Sequence, residues 1–255
     1  MSNISYQDLL DAGVHFGHLT RKWDPKMAPY IFMEKNGIHI IDLNKTIVCL
    51  EDAAEYMRSV VRSGRKIMFV ATKKQAKNIV EEQAQRLKMP YVTERWLGGM
   101  LTNFATIRKS MKKMSSMEKL MKDEAYLNLA KRERLMISRE KDKLKKVLGG
   151  IQDLTRLPAA LFIVDIKREH IAVKEAIKLN IPVIAMVDTN SNPDVVDMPI
   201  PANDDAFKSI QIITDYITKA IEEGLMERKK DKEDTKQDDE EQAKREVDEV
   251  RSSKD

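Results

Sequence analysis

Apolar residues in this chain fall into short continuous runs and into runs with helical spacing. The continuous runs predict strands at residues 37–43, 66–71, 160–165 and 182–187. Helical spacing predicts helices at residues 6–11, 44–61, 72–88, 169–179 and 205–223. Strands that are apolar on both faces and alternate with helices are typical of a parallel sheet covered on both sides. The pattern therefore predicts a doubly wound, three-layer α/β fold.

Polar residues at the helix starts suggest where three of these helices begin. Ser5 precedes the first helix, with Asp8 three residues later, as in a capping arrangement. Asn44 is the predicted cap of the second helix, and Thr72 is the predicted start of the third.

The segment 104–148 interrupts the alternation, because it is helical in pattern throughout and has no proline. Its apolar residues recur at near-heptad spacing and occupy Phe104, Ile107, Met111, Met114, Met121, Ala130, Ile137 and Leu144. Two antiparallel helices would bury this seam against each other. We therefore predict an α/β globular domain of residues 1–103 and 149–225, with an inserted antiparallel coiled-coil hairpin of residues 104–148.

Charge is unevenly distributed, although the chain of 255 residues has a net charge of only +4. Residues 95–156 contain 16 Lys and Arg against 7 Asp and Glu, whereas residues 226–255 contain 9 against 12. A solvated coiled coil usually balances its charges, so the basic excess favours contact with a polyanion over a plain solvated face. The last segment has little apolar surface to offset ordering entropy, which predicts an acidic, disordered tail at residues 226–255.

Several functional classes lack support in the sequence. No run is long and apolar enough for a membrane span, and the first residues lack a signal-peptide pattern, which favours a cytoplasmic protein. Neither glycine-rich nucleotide motif is present, and no catalytic triad can be assembled, so we expect no enzyme activity and no cofactor. His15 and His18 form a weak metal signal, and the aspartates between 188 and 205 fit turn and cap roles better than a cation site.

Two loops place basic residues beside tryptophan. Arg21, Lys22 and Trp23 are followed by Lys26, and the second loop contains Arg95 and Trp96. The cations can neutralise phosphates, while each indole ring can stack on a base or anchor its loop in the core. Gly98, Gly99 and Asn103 follow the second tryptophan, where backbone amides could approach a phosphate closely. An RNA-binding role is the favoured interpretation of both loops.

These residues also carry a family resemblance. The blocks that carry it are Leu9 to His18, Trp23 with Pro25 to Met27, Asn36 to Leu43, Ala71 to Ala76, Arg95 to Phe104, Leu148 to Ile151, Ile181 to Val183, Val187 to Asn190 and Pro199 to Ala206. In this order they resemble the bacterial form of the universal small-subunit ribosomal protein two family, over residues 4–223. Ala202 stands where the family pattern has glycine, and residues 190–193 vary the usual turn, so these two loops depart from the family pattern.

The resemblance implies a flavodoxin-like domain with a protruding coiled-coil hairpin, bound to the ribosome between the head and body of the small subunit. It implies a ribonucleoprotein role in translation, with contacts to small-subunit ribosomal RNA and to neighbouring proteins, including the large mRNA-binding protein one. The predicted RNA-binding residues are Arg21, Lys22, Trp23, Lys26, Lys73, Lys74, Arg95, Trp96, Asn103, Arg108, Lys109, Lys112 and Lys113. No catalytic residue, metal ligand, small-molecule substrate or membrane contact is predicted. Two alternatives are a flavodoxin-like enzyme acting on a nucleotide or phosphosugar, and a coiled-coil adaptor that binds protein.

Overall fold

The computed structural model of the chain describes residues 4–123, 126 and 128–252, with side chains described up to residue 231. The α-helices in these residues are α1 (Tyr6–Asp11), α2 (Leu43–Arg62), α3 (Lys77–Arg86), α4 (Phe104–Leu120), α5 (Lys131–Leu148), α6 (His170–Lys178) and α7 (Phe207–Ser252). The strands are β1 (Phe16–Leu19), β2 (Ile31–Lys35), β3 (Ile38–Ile41), β4 (Ile67–Val70), β5 (Tyr91–Val92), β6 (Ala160–Val164), β7 (Val183–Val187) and β8 (Met198–Pro201).

Five parallel strands form the central sheet, in the order β5-β4-β6-β7-β8. If β4 is counted as the first strand of this sheet, the order is 2-1-3-4-5, which is the flavodoxin-like arrangement. The prediction of a flavodoxin-like doubly wound sheet is therefore confirmed. The chain reverses its direction of winding between β4 and β6, so the loops after these strands meet at the switch point.

Alternating side chains of the sheet enter two separate cores. Phe69 and Phe162 face one core, where their rings meet edge to face with centroids 5.6 Å apart, and α2, α3 and α7 cover them. Met68 and Leu161 face the other core, which α6, the first turns of α4 and the end of α5 cover. Burial on both faces explains why these strands are apolar at every position.

The strand predicted at residues 37–43 is present as β3, but it does not belong to the parallel sheet. The alternation of strands and helices had predicted that it would. β3 instead pairs antiparallel with β1 and β2 in a separate three-stranded sheet. Asn36 and Gly37 join β2 to β3 with φ angles of 54° and 73°, the left-handed backbone that favours an Asn-Gly hairpin turn. This dipeptide was the signal in the sequence for the hairpin, and our interpretation did not use it.

Two predicted helix starts are displaced in the structure. Asp42 rather than Asn44 caps α2, and its carboxylate accepts from the Asn44 backbone N–H at 3.0 Å. Helix α3 begins at Lys77 rather than at Thr72. The Thr72 backbone N–H donates to Glu169 Oε1 at 3.0 Å, so this residue is held by the neighbouring strand-end loop. At the first helix the Ser5 and Asp8 capping box is present as predicted.

The inserted segment contains two helices, α4 and α5, but an antiparallel coiled coil is not confirmed. Lys113 pairs with Glu140, while Lys145 lies 3.9 Å from Glu118. Ile107 near the start of α4 and Leu148 at the end of α5 lie in the same core, so the two helices run in opposite directions, but these contacts do not establish a regular coiled-coil seam. Part of the predicted seam also packs elsewhere, because Ile107 and Met111 of α4 join the core of the central sheet. The boundaries of the insertion coincide with the helix ends, and its status as a separate domain stays a prediction.

The C-terminal helix α7 extends beyond the predicted end of the fold. Its first part packs on α2, and Gly224 lies so close to it that an added Cβ would be 2.7 Å from the Arg58 carbonyl oxygen. Arg58 also pairs with Glu227, and Arg62 Nε lies 3.1 Å from Asp231 Oδ2. A helix already nucleated by packing extends at low cost through good helix formers. The backbone is therefore helical through Ser252, the disorder of the tail from residue 226 stays a prediction, and residues 253–255 lie outside the described part. None of the helices in the described residues is long and apolar enough to cross a membrane.

Candidate nucleic-acid interface

The N-terminal basic loop lies over the carboxyl ends of the parallel strands. The Asp24 backbone N–H donates to the Thr189 carbonyl at 2.8 Å, and the His18 N–H donates to Thr189 Oγ1 at 2.8 Å. Gly17 is required at this junction, because a Cβ there would be 2.6 Å from the Thr189 methyl carbon. Open parallel sheets bind ligands at this end. Here the N-terminal segment covers part of it and is fixed to the loop after β7.

Four predicted RNA-binding residues of this loop are accessible. Arg21, Lys22, Trp23 and Lys26 are exposed, and Trp23 retains 38% of its surface. The Trp23 ring rests on His39 at a centroid distance of 5.0 Å, with 42° between the planes. Lys26 Nζ lies 2.9 Å from Asp194 Oδ2, so its charge is shared with that carboxylate. The indole is thus anchored along one side and exposed along another.

Lys73 does not reach a surface on which RNA could bind. It is 8% exposed, and its Nζ lies 2.7 Å from Asp204 Oδ1, 2.6 Å from Asp205 Oδ1 and 3.2 Å from Asp165 Oδ2. Burial alone would lower the pKa of Lys73, but attraction to the three carboxylates outweighs it and raises the pKa. A phosphate would have to displace these carboxylates, so Lys73 has to be removed from the predicted interface. The adjacent Lys74 is exposed.

The same buried network includes two further titratable groups. His18 Nδ1 is 3.0 Å from Asp188 Oδ2, and His18 Nε2 is 3.3 Å from Asp205 Oδ2. The hydrogen bond to Asp188 raises the pKa of His18 against the opposing effect of burial. Burial and the neighbouring Asp188 and Asp165 charges raise the pKa of Asp204 to about 7, although Lys73 opposes the shift. Among the described residues, no group of three or more His, Cys, Asp or Glu side chains is arranged to hold a metal ion.

The second tryptophan loop is organised from within by Glu175 of α6. Glu175 Oε1 accepts from Trp96 Nε1 at 3.1 Å and from the Gly99 N–H at 2.7 Å. Glu175 Oε2 accepts from the backbone N–H groups of Leu101 and Thr102 at 2.9 and 3.0 Å, and from Thr102 Oγ1 at 3.1 Å. Burial would raise the pKa of Glu175, but these donors lower it overall. The carboxylate therefore remains charged inside the protein.

This arrangement bears on two expectations for the loop. Trp96 is only 7% exposed and belongs to the core, so its position favours the second of its two considered roles, anchoring the loop, over stacking on a base. The Gly99 amide donates to Glu175 and is unavailable to a phosphate. Gly99 is needed for its φ of +87°, which turns the chain and lets this amide point inward. Glu175 was not among the predicted site residues, although a charged residue between Ala172, Val173 and Ala176 on a buried helical face was a visible signal.

The remaining predicted residues face solvent on or beside the second loop. Those that are exposed are Arg95, Asn103, Arg108, Lys109, Lys112 and Lys113. Arg108 and Lys112 are four residues apart on α4, as are Lys109 and Lys113, so the four cations form one broad helical face. Lys113 is paired with Glu140 of α5, which leaves it less available than the other three.

Comparisons with known proteins agree with the fold. A profile of the family described as "Ribosomal protein S2" matches residues 9–224. A protein of Cytophaga hutchinsonii named "Small ribosomal subunit protein uS2" is 70% identical over 242 residues, which cover 95% of each chain. Proteins of the same name from Parabacteroides distasonis and Flavobacterium psychrophilum are 60% and 62% identical over 232 residues. These matches cover 91% of this chain and 84% and 87% of those proteins.

Proposed function

Because the chain belongs to the ribosomal protein S2 family, we propose that it is a structural constituent of the small ribosomal subunit and binds small-subunit ribosomal RNA through its exposed basic loops and α4. The family consists of structural ribosomal proteins and is not an enzyme family, which removes the enzyme alternative. A ribosome-bound location follows from the same relationship.

The observation that carries the RNA proposal is the fixed N-terminal loop. Arg21 and Lys22 are exposed and have no ion pair among the side chains that the structure describes. The exposed edge of Trp23 lies next to them, so phosphate neutralisation and base stacking are available at one place. The bond from Asp24 to Thr189 holds this loop before RNA arrives, which reduces the ordering entropy that binding would otherwise cost.

The α4 face supplies a second set of cations in the proposed interface. Arg108, Lys109 and Lys112 are exposed and lie within five residues of one another on α4. Arg95 precedes the loop that Glu175 holds, so its backbone position is set by a buried anchor rather than by solvent. We infer that these cations bind the RNA backbone electrostatically, without reading its bases.

A direct test measures the binding of the full-length protein to deproteinised small-subunit ribosomal RNA at several salt concentrations. For the Arg21→Ala/Lys22→Ala variant, the slope of log affinity against log salt should fall by about 1.4 to 1.8, because two phosphate contacts are lost. Lys174→Ala/Lys178→Ala is the matched control, since both lysines are exposed on α6, outside the proposed interface. Equal slopes for the wild type and the loop variant would remove the proposed role of this loop.

We also propose that neighbouring ribosomal proteins, including the large mRNA-binding protein one, dock on the small antiparallel sheet. The supporting observation is an apolar depression of about 360 Å³ that contains Phe32 and Met33, which are 68% and 48% exposed, together with Tyr6 and Phe16. Exposed apolar groups clustered in this way are typical of protein contacts. Phe32→Ser/Met33→Ser should lower the occupancy of a neighbouring protein in purified small subunits, measured by quantitative mass spectrometry. Unchanged occupancy of every small-subunit protein would contradict this proposal.

A further inference from the structure

A group of depressions surrounds the amino ends of the parallel strands, at the opposite end of the sheet from the basic loops. Three of them, of about 430, 480 and 500 Å³, share Lys66 in their walls. Lys66 immediately precedes β4, and its carbonyl accepts from the Ala159 N–H at 2.9 Å just before β6. The depressions therefore meet where the two central strands begin. We call the two larger ones, lined by parts of residues 64–66, 86–89, 153–159 and 222–229, the amino-end cleft.

The walls of the amino-end cleft carry a strong excess of positive charge. Seven basic residues line it: Arg65, Lys66, Arg86, Lys88, Arg156, Arg228 and Lys229. Its two acidic residues are Asp153 and Glu222, and Glu222 Oε2 lies 3.5 Å from Arg86 Nη1. The other six basic residues make no ion pair with the side chains that the structure describes. Seven basic residues against two acidic ones leave an excess of five positive charges, which produces a local positive potential although the whole chain is nearly neutral.

One of these cations is held in position by the fold. Arg228 is half-buried, and its guanidinium packs directly on Gly64, where an added Cβ would be 2.7 Å from Nη2 and 2.9 Å from Cζ. Gly64 has a φ of +85°, so glycine is needed there for its backbone conformation as well as for this contact. The side chain of Arg228 is thus oriented in advance. A planar, preoriented guanidinium is well suited to bind phosphate oxygens in pairs.

We propose that the amino-end cleft binds the phosphate backbone of small-subunit ribosomal RNA as a second contact, separate from the basic loops and α4. This inference rests on the proposed function, because ribosomal RNA is the polyanion of the assembly to which the family belongs. The strands between the two ends have four or five residues, so the contacts are separated by roughly 13 to 17 Å of sheet. The protein therefore joins two RNA segments across its own thickness.

While α7 is helical, the acidic end of the chain is directed away from the cleft. Arg228 and Lys229 lie on α7, which continues as one helix through Ser252. A helix rises about 1.5 Å per residue, so the backbone moves some 30 Å away from the cleft between residues 231 and 252. The acidic residues of this segment cannot fold back on the cleft while the helix is intact.

The test compares the full-length Lys66→Ala/Lys88→Ala variant with the Lys174→Ala/Lys178→Ala control and the wild type. Both substituted lysines of the cleft are exposed, and circular dichroism should verify that their loss leaves the fold unchanged. With deproteinised small-subunit ribosomal RNA, the cleft variant should bind roughly 10- to 30-fold more weakly at about 0.15 M salt, and its salt slope should fall by about 1.4 to 1.8. In wild-type protein, RNA should protect Lys66 and Lys88 from an amine-reactive reagent while Lys174 and Lys178 keep their reactivity.

The outcomes separate this inference from the proposed function. If the wild type binds RNA and the Arg21→Ala/Lys22→Ala variant is weakened, but the cleft variant matches the control and Lys66 stays reactive, the second contact is overturned and the loop contact stands. If the wild type shows no salt-dependent binding, the proposed function itself fails. If RNA binding is unchanged but the cleft variant depletes a neighbouring protein from purified subunits, the cleft is a protein site and the RNA inference is wrong.

Discussion

The buried carboxylate of Glu175 offers the sharpest test of how the second loop is held. In Glu175→Gln one oxygen remains as an acceptor, while the other is replaced by an amide that donates. If the remaining oxygen keeps Trp96 Nε1 and the Gly99 N–H, the three donors from Leu101 and Thr102 lose their acceptor. A buried donor without a partner costs about 1 to 3 kcal/mol. Thr102 is exposed, so its donors can still bind water, and only one or two of the three donors should carry the full cost. We therefore expect the free energy of unfolding to fall by about 2 to 4 kcal/mol.

The assay is urea denaturation followed by fluorescence in a Trp23→Phe background, where Trp96 is the remaining tryptophan. The Trp96 emission of the folded variant should stay close to that of the parent protein, because the remaining oxygen still accepts from Trp96 Nε1. Glu82→Gln is the control, since Glu82 is exposed on α3 and should change stability by less than about 0.5 kcal/mol. Equal stability losses in the two variants would refute the proposal that Glu175 organises the loop.

The pKa of Glu175 adds a dependence on pH. Its hydrogen-bond donors lower the folded-state pKa below the ordinary glutamate value of about 4.3. A carboxylate with a depressed pKa contributes stability above the unfolded-state value and loses it as the pH falls through the folded-state value. The stability difference between the wild type and Glu175→Gln should therefore narrow below about pH 4.3. A difference that is constant or increases towards acid would contradict this assignment of charge.

Three further predictions concern other parts of the fold. The pKa of Asp204 is raised to about 7, so its contribution to stability should be lost as the pH rises from about 4 to 7. In urea denaturation, the stability of the wild type relative to Asp204→Asn should therefore fall over this range, and a constant difference would contradict this. Gly17→Ala should lower the thermal stability by about 1 to 3 kcal/mol, because the added methyl group would clash with Thr189. Gly98→Ala is the control, because its added methyl group meets no atom within 4 Å and should change the stability by less than about 1 kcal/mol. Backbone hydrogen exchange should be slow at the packed residues 210–221 of α7. It should be fast beyond residue 231, because a helix without tertiary packing is only marginally stable. Uniform protection along α7 would exclude the predicted tail disorder.

The parallel sheet was predictable because burial on both faces leaves a direct mark on the sequence. Strands β4, β6 and β7 are apolar at every position, and the structure places their ends within one residue of the predicted ones. The antiparallel sheet was harder to predict, because β1 and β2 are largely exposed and carry no continuous apolar pattern. The late start of α3 depends on Glu169, which is 97 positions from Thr72 along the chain. A pattern of neighbouring residues cannot predict a hydrogen bond between positions so far apart in the sequence.

The adjacent residues Lys73 and Lys74 show why the candidate interface was only partly predictable. Both lysines have the same charge and lie in the same strand-end loop, but the side chain of Lys73 is buried and that of Lys74 is exposed. Lys73 points into the switch point, where Asp165 and Asp204 follow two other strands, and Lys74 points to solvent. Three carboxylates converge on Lys73 only because the sheet order brings the ends of β4, β6 and β8 to one edge.

Ion pairing within the fold changes which cations are expected to bind RNA. A cation whose charge is already neutralised inside the protein gains little from a phosphate, because it must first give up its carboxylate partners. The proposed interface therefore excludes Lys73 and includes the unpaired cations of the amino-end cleft. These cations are not close in sequence, because Arg65, Lys66 and Arg156 are dispersed along the chain and Arg228 lies in an acidic segment. Charge density along the sequence identified α4, but the cleft arises from the convergence of four chain segments where the strands begin. For this protein, we therefore expect ion pairing within the fold to be a better guide to RNA contacts than local basic composition.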